Sequence, residues 1–215
     1  FSAFNSEKID MSVTTPPRWF NLPNCLTILR ILLAIALFVT LSFFEVVGYG
    51  ISIALFVVAA ATDWLDGFLA RRLNLVTALG RILDPFADKL IICGTFIFLA
   101  ATPKMLETPW GLHPWIVVVV ISRELLITGL RSFLEGQTID FSAKLSGKLK
   151  MAFQCITAVV AMLYLADSGT NPGLSRFLWL GLVMATYLTL VTTVYSGIAY
   201  VMIGWKKVRS LEISG

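Results

Sequence analysis

A chain of 215 residues that is 57% hydrophobic and only 14% charged is far too apolar for an ordinary soluble domain, in which about a quarter of residues carry charge. The net charge of +4 comes without the basic, aromatic-interleaved footprint of a nucleic-acid binder, so no nucleic-acid partner is expected. Three cysteines, Cys25, Cys93 and Cys155, fall in or beside three different apolar blocks with no CxxC spacing and read as small hydrophobic residues.

Residues 1–10 precede Met11 and are not expected to contribute to the fold. The stretch Arg18-Trp19-Phe20-Asn21-Leu22-Pro23-Asn24 mixes basic, aromatic and turn residues. It is expected either to lie along the membrane surface as a short juxtamembrane segment or to act as an interfacial tryptophan anchor. Six apolar blocks follow, roughly Leu26 to Phe44, Tyr49 to Leu69, Leu83 to Ala101, Pro114 to Phe133, Lys150 to Ala166 and Phe177 to Gly204. Each is long enough to cross a bilayer as a helix. Only the last is free of charge over more than 18 residues, so the charges in the others need a reason.

Part of that reason is orientation. Arg18, then Arg71, Arg72 and Arg81, then Lys144 and Lys148, then Lys206, Lys207 and Arg209 occupy alternate connections, while the others hold little but Lys104 and Arg176. The positive-inside rule then puts both termini and the two basic loops in the cytoplasm, and only an even number of spans agrees. The expected fold class is an all-α integral membrane protein of six transmembrane helices with a short N-terminal juxtamembrane segment. Residues 1–20 form the extension and interfacial segment, 21–209 the six-helix domain and 210–215 a tail. The single histidine, His113, lies in an outside loop with no second histidine to help it, and no ligand or catalytic role is expected of it.

Between the second and third blocks, four of the thirteen acidic residues are packed together: Asp63, Asp66, Asp84 and Asp88. Asp63, Asp66, Gly67 and Ala70 recur at i, i+3, i+4 and i+7, and Gly80, Asp84 and Asp88 at i, i+4 and i+8, so each set shares one face of a helix. Two such helices oppose two carboxylates each, with glycine and alanine leaving room for a ligand between them. Four converging carboxylates repel one another unless a cation compensates them. Oxygen-only ligands suit a hard ion, Mg²⁺ or Mn²⁺, and four acids suffice for two ions about 3.5–4 Å apart that clamp a diphosphate. The competing reading makes these aspartates helix-end charges paired with Arg71, Arg72, Arg81 and Lys89. It accounts poorly for four acids on matched faces at the polar end of two spans.

At these residues the sequence resembles the CDP-alcohol phosphotransferases, whose signature D-x2-D-G-x2-A-R-x8-G-x3-D-x3-D is met at every fixed position from Asp63 to Asp88. The run Asn21-Leu22-Pro23-Asn24-Cys25-Leu26-Thr27-Ile28-Leu29-Arg30 is similar to that family's approach to its first span. The resemblance implies six spans, a homodimer, and a cytoplasmic-side cavity open to the bilayer. It makes Asp63, Asp66 and Asp84 metal ligands and Asp88 both ligand and general base. It also sets the cytidine diphosphate of a CDP-activated lipid against Gly67, Ala70, Arg71, Thr77 and Gly80, with Asn24 and Thr27 nearby.

Ile121-Ser122-Arg123-Glu124 and Gly147-Lys148-Leu149-Lys150 resemble the branch of the family that passes the phosphatidyl group of CDP-diacylglycerol to glycerol 3-phosphate. Arg123 interrupts an apolar block, where a guanidinium is costly unless paired. Its neighbour Glu124 is an awkward partner, since adjacent helical residues point about 100° apart; a motif aspartate is another. Together Arg123 and Lys148 make an expected site for a phosphate dianion beside the metals, with Tyr200, on the resemblance, as a hydrogen-bond donor to the acceptor. Lys148 and Lys150 both enter the fifth block from the cytoplasmic side and read equally well as plain positive-inside residues. Inositol phosphate satisfies the same charge argument, and serine or a lipid alcohol would be other acceptors within the family. An intramembrane prenyltransferase splits its acidic motifs between more distant helices, and a divalent-cation transporter lines a path with acids but needs no nucleotide pocket. The expected location is a bacterial inner membrane, with the active site facing the cytoplasm.

Overall fold

The structure is a computed structural model and describes residues 22–43, 46–73, 78–136 and 145–214. Among the described residues there are seven helices and no strand: α1 Leu22–Phe43, α2 Val46–Leu73, α3 Ala78–Ala100, the short α4 Pro103–Glu107, α5 Pro114–Gly136, α6 Leu145–Ala166 and α7 Pro172–Ser214. All but α4 have at least 22 residues, about 33 Å at 1.5 Å per residue, enough to cross a hydrocarbon layer about 30 Å thick. Cys25–Phe43, Leu149–Ala166 and Pro172–Trp205 are apolar enough throughout to be membrane spans on composition alone. In α2, α3 and α5 the apolar run is broken by charge, and those are the helices that carry the signature acids and Arg123. The six expected spans are therefore six helices. The five-residue α4, and residues Leu22 to Asn24 as the first turn of α1, were not foreseen. Residues 18–21 of the expected juxtamembrane segment lie outside the described residues.

The middle position belongs to α3, which packs against α1, α5 and α6 and touches α2 and α4. Its Ala87, Ile91, Thr95, Phe96 and Leu99 are buried at helical spacing. Outside this centre α1 lies along α2, and α6 along α7 and α2, with α5 against α7. Van der Waals contact and interhelical hydrogen bonds hold such bundles, because lipid is as apolar as a leucine side chain. Thr40 and Ser52 join α1 to α2 at 2.7 Å, and Thr157 and Thr189 join α6 to α7 at 2.8 Å. Along α7, Thr186, Thr189, Thr193, Ser196 and Tyr200 form one buried seam of alternating three- and four-residue steps, while Met184, Val191, Tyr195 and Ile198 are exposed on other faces. At 43 residues α7 is about 65 Å long and so runs well past the membrane into its basic C-terminal segment.

The end of the bundle away from the signature acids is closed by local contacts. Asn171 accepts hydrogen bonds from the amides of Gly173 and Leu174 at 3.1 and 3.3 Å, which caps α7 just ahead of Pro172. Lys104 donates to the carbonyls of Tyr164 and Asp167 at 3.0 and 2.7 Å and lies 4.9 Å from the Tyr164 ring centre, so a cation from α4 covers the C-terminus of α6. A hydrogen bond from Ser175 holds the Asp167 carboxyl below its usual range, helped by the Gly169 amide and by Lys104. His113, in this region, makes backbone bonds at the start of α5, where its carbonyl accepts from Ile116 at 3.0 Å.

One glycine sets how closely α1 and α3 approach. A Cβ on Gly94 would lie 2.1 Å from Cζ of Phe38, whose ring stacks on Phe98 at 5.1 Å. Gly94→Ala is expected to lower the thermal stability of the detergent-solubilised protein by about 1–3 kcal/mol, the usual cost of overpacking. Gly50→Ala, where a Cβ meets nothing within 4 Å, should leave it unchanged or slightly raised. Equal melting temperatures for Gly94→Ala and the unaltered protein would contradict this packing.

Candidate active site

The signature acids ride on two helices, as the spacing requires. Asp63 and Asp66 lie on α2 with Gly67, Ala70 and Arg71, and Asp84 and Asp88 lie on α3 with Gly80. Both segments are helical, so the i, i+3 and i, i+4 relations hold in the backbone. Pro85 sits inside α3 between the two acids, where its missing N–H leaves the carbonyl four residues earlier without its helical donor. Of the four carboxylates only that of Asp88 belongs to the described side chains. Those of Asp63, Asp66 and Asp84, and those of Asn24, Ala70, Arg71 and Lys148, lie outside the description, as does Thr77 altogether. Thr27 is fully buried on α1.

Asp88 stands on the wall between two cavities. On one side is a chamber of about 330 Å³ among α1, α2, α3 and α6, lined by Phe56, Ala59, Ile91, Ile92, Met151 and Cys155 with Arg30 and Asp88 as its charged residues. On the other is a pocket of about 30 Å³, room for roughly one water, bounded by α3, α5 and α6 and lined by Lys89, Cys93, Glu124, Lys150 and Gln154. Asp88, Ile92 and Met151 line both. Cys93 and Cys155 thus border these cavities in addition to filling core space.

The polar side is a network centred on Glu124, near the midpoint of α5. Its Oε1 accepts a hydrogen bond and ion pair from Lys150 Nζ, a hydrogen bond from Gln154 Nε2 at 3.3 Å and one from Arg123 Nη1 at 3.4 Å. The side chains of Arg123, Glu124 and Lys150 are 10%, 12% and 7% exposed. Such burial is sustainable only because the charges meet one another. Arg123 reaches further, donating from Nη2 to Ser196 at 3.0 Å and lying over the Tyr200 ring at 5.6 Å, both on α7. Gly197 makes this crossing possible, since a Cβ there would come within 3.2 Å of Arg123 Cγ. The Nε atoms of Arg123 and, two turns on, of Arg131 are buried without a hydrogen-bond acceptor among the described residues.

The structure brings Arg123 and Tyr200 together, through the ring face of the tyrosine. The pairing of Arg123 with Glu124, judged awkward from their adjacency, is present: the long guanidinium arm bends back to the carboxylate at 3.4 Å. Among the described residues Lys150 enters this cluster, buried in the pocket wall, where a plain positive-inside lysine would reach the headgroups. Glu124, Gln154 and Arg30 were assigned no site role from sequence. Arg30 and Glu124 carried the same signal that singled out Arg123, a charge inside an apolar run, whereas nothing distinguished Gln154 from an ordinary polar residue.

Comparison with known proteins agrees with the signature. The family profile described as CDP-alcohol phosphatidyltransferase matches residues 20–201. The chain is 40% identical over 158 residues to the CDP-diacylglycerol–glycerol-3-phosphate 3-phosphatidyltransferase of Bacillus subtilis, covering 67% of this chain and 78% of that protein. It is 33% identical over 178 residues to the protein of the same name from Rickettsia bellii, covering 80% and 91% of the two chains. An Arabidopsis thaliana relative of that name, chloroplastic or mitochondrial, is 34% identical over 158 residues, or 70% and 53% of the two chains. With an unbroken acid signature on two adjoining helices and a match that takes in five of the spanning-length helices and α7 as far as residue 201, the chain belongs to the CDP-alcohol phosphatidyltransferase family.

Proposed function

We propose that the protein transfers the phosphatidyl group of CDP-diacylglycerol to glycerol 3-phosphate, giving phosphatidylglycerophosphate and CMP in phospholipid synthesis. The observation that carries this reading is Asp88 on the wall between an apolar chamber and a buried cationic cluster, in a family whose similar members bear that enzyme's name. The primary hydroxyl of glycerol 3-phosphate attacks the lipid-side phosphorus, the bond from that phosphorus to the bridging oxygen breaks, and CMP leaves with that oxygen. Asp88 accepts the hydroxyl proton. Arg123 and Lys148, joined by Lys150, attract the acceptor's phosphate; the buried Nε of Arg123 is a donor still open to it. Tyr200 contributes by seating the guanidinium, a contact worth about 0.5–2 kcal/mol. The acceptor meets this cluster from its headgroup end, since the pocket inside holds no more than a water.

The donor set fits divalent metal: carboxylate oxygens only, two on each of two helices, in a bundle that must compensate them. Asp63, Asp66, Asp84 and Asp88 would hold two ions, Mg²⁺ or Mn²⁺, which when bound neutralise the diphosphate and the departing CMP. Asn24, Thr27, Gly67, Ala70, Arg71, Thr77 and Gly80 take the cytidine diphosphate, with small residues admitting the flat base and Arg71 pairing with phosphate. The basic residues at the end of α2, around the start of α6 and in the C-terminal part of α7 favour a site on the cytoplasmic face, and the family resemblance supports a bacterial inner membrane and a homodimer.

Purified protein should release CMP from CDP-diacylglycerol only when both glycerol 3-phosphate and divalent metal are present, and a chelator should stop it. Asp84→Ala should abolish turnover, and Asp88→Asn should bind CDP-diacylglycerol while losing about 10²–10⁴-fold in kcat. Full activity of Asp84→Ala at ordinary metal concentrations would overturn the shared metal site. Arg123→Ala should raise KM for glycerol 3-phosphate far more than for CDP-diacylglycerol. Preference for serine or inositol phosphate in an acceptor screen would overturn the choice of acceptor and leave the family assignment standing.

A further inference from the structure

Glu124 is a buried anion beside a site that must attract anions, and electrostatics alone would remove it. A carboxylate next to Arg123 and Lys150 weakens their pull on a phosphate, and its burial carries its own desolvation cost. What it does in return is geometric. It gathers three donors at one oxygen: Lys150 and Gln154, one turn apart on α6, and Arg123 on its own helix. The Arg123 end of the network is fixed to α7 by Ser196 and Tyr200, while Lys150, Gln154 and Glu124 share the pocket wall with Asp88 on α3. A lysine at the sixth position of a membrane helix would otherwise extend toward the headgroups and water.

We propose that Glu124 is a positioning residue for the acceptor: it draws the Lys150 ammonium inward to the pocket wall beside Asp88 and fixes the fork of Arg123, so that the acceptor's phosphate is held with its hydroxyl within reach of the base. This rests on the acceptor reading given above. Glu124 does not touch the reacting atoms. Replacing it with glutamine keeps the shape and one acceptor oxygen but leaves two cations facing a neutral group, so Lys150 swings out and the acceptor is held less well. The donor lipid, on the other side of Asp88, is unaffected.

The test is steady-state kinetics of the full chain in mixed micelles, with glycerol 3-phosphate and CDP-diacylglycerol varied separately, alongside thermal stability. Glu124→Gln is expected to raise KM for glycerol 3-phosphate about tenfold or more while changing that for CDP-diacylglycerol by no more than about twofold. The double variant Glu124→Lys with Lys150→Glu restores an ion pair between α5 and α6 but moves the ammonium to the wrong helix. It should recover stability relative to Glu124→Gln while KM for glycerol 3-phosphate stays high. Gln154→Leu, which leaves both charges paired, should raise that KM by about two- to fivefold. Should Glu124→Gln fail to fold, the double variant and Gln154→Leu decide the question. Unchanged acceptor KM in Glu124→Gln, or recovery of the acceptor KM together with stability in the double variant, would reduce Glu124 to a structural ion pair and overturn the proposal. Failure of the unaltered protein to use glycerol 3-phosphate at all would instead overturn the acceptor reading on which it rests.

Discussion

Charge inside an apolar bundle must be compensated, and most of what sets this protein apart from a simple set of spans follows from that requirement. An unpaired carboxylate or guanidinium near mid-membrane costs several kcal/mol, and breaking one partner out of a buried pair costs about 3–5 kcal/mol. The Arg123, Glu124, Lys150 and Gln154 side chains meet this demand by converging from α5 and α6 on one carboxylate oxygen. Arg123 is also held by α7, through the Ser196 hydroxyl at Nη2, the Tyr200 ring face and a glycine that lets the arm pass, while its Nε meets no acceptor among the described residues. Helix positions are thus coupled to the charged cluster, and the cluster lies one pocket wall from Asp88.

That wall separates two environments that a transfer between a lipid and a water-soluble anion needs to keep apart. The chamber among α1, α2, α3 and α6 is apolar apart from Arg30 and Asp88 and faces the hydrophobic core of the bundle. The opposite pocket is polar and narrow. On the proposed reading of Asp88 as the base, its place on both cavities lets it meet an acceptor without opening the lipid side to water, which would limit hydrolysis of the activated donor. The central place of α3 in the packing gives Asp88 a rigid support, because its neighbours Ala87, Ile91 and Ile92 are buried.

Reading from sequence went far for this chain because membrane helices write themselves in long apolar runs and the acid signature is dense. The six blocks became six helices, and the spacing of Asp63, Asp66, Asp84 and Asp88 lies on helices as required. What sequence could not reach was which long side chain bends where. Adjacency argued against an Arg123–Glu124 contact, yet a flexible guanidinium arm has the reach to return. Lys148 and Lys150 were indistinguishable as basic residues at a helix start, and only the facing position of Glu124 on another helix tells Lys150 from a surface lysine. Arg30 and the seam of Thr186, Thr189, Thr193 and Ser196 were visible as polar residues in apolar runs, but their partners belong to tertiary packing.

The central claim is that the carboxylates of α2 and α3 form one metal site with Asp88 at its edge, on the chamber side of the Glu124 cluster. Anomalous diffraction at the manganese edge, from crystals grown in lipid with Mn²⁺ and a CDP-linked lipid, tests it most directly. The account predicts manganese within coordination distance of Asp88 and of the α2 aspartates, next to the diphosphate, with Glu124 still paired to Lys150. Manganese bound to Glu124 instead, or a diphosphate held without metal at Asp88, would contradict it.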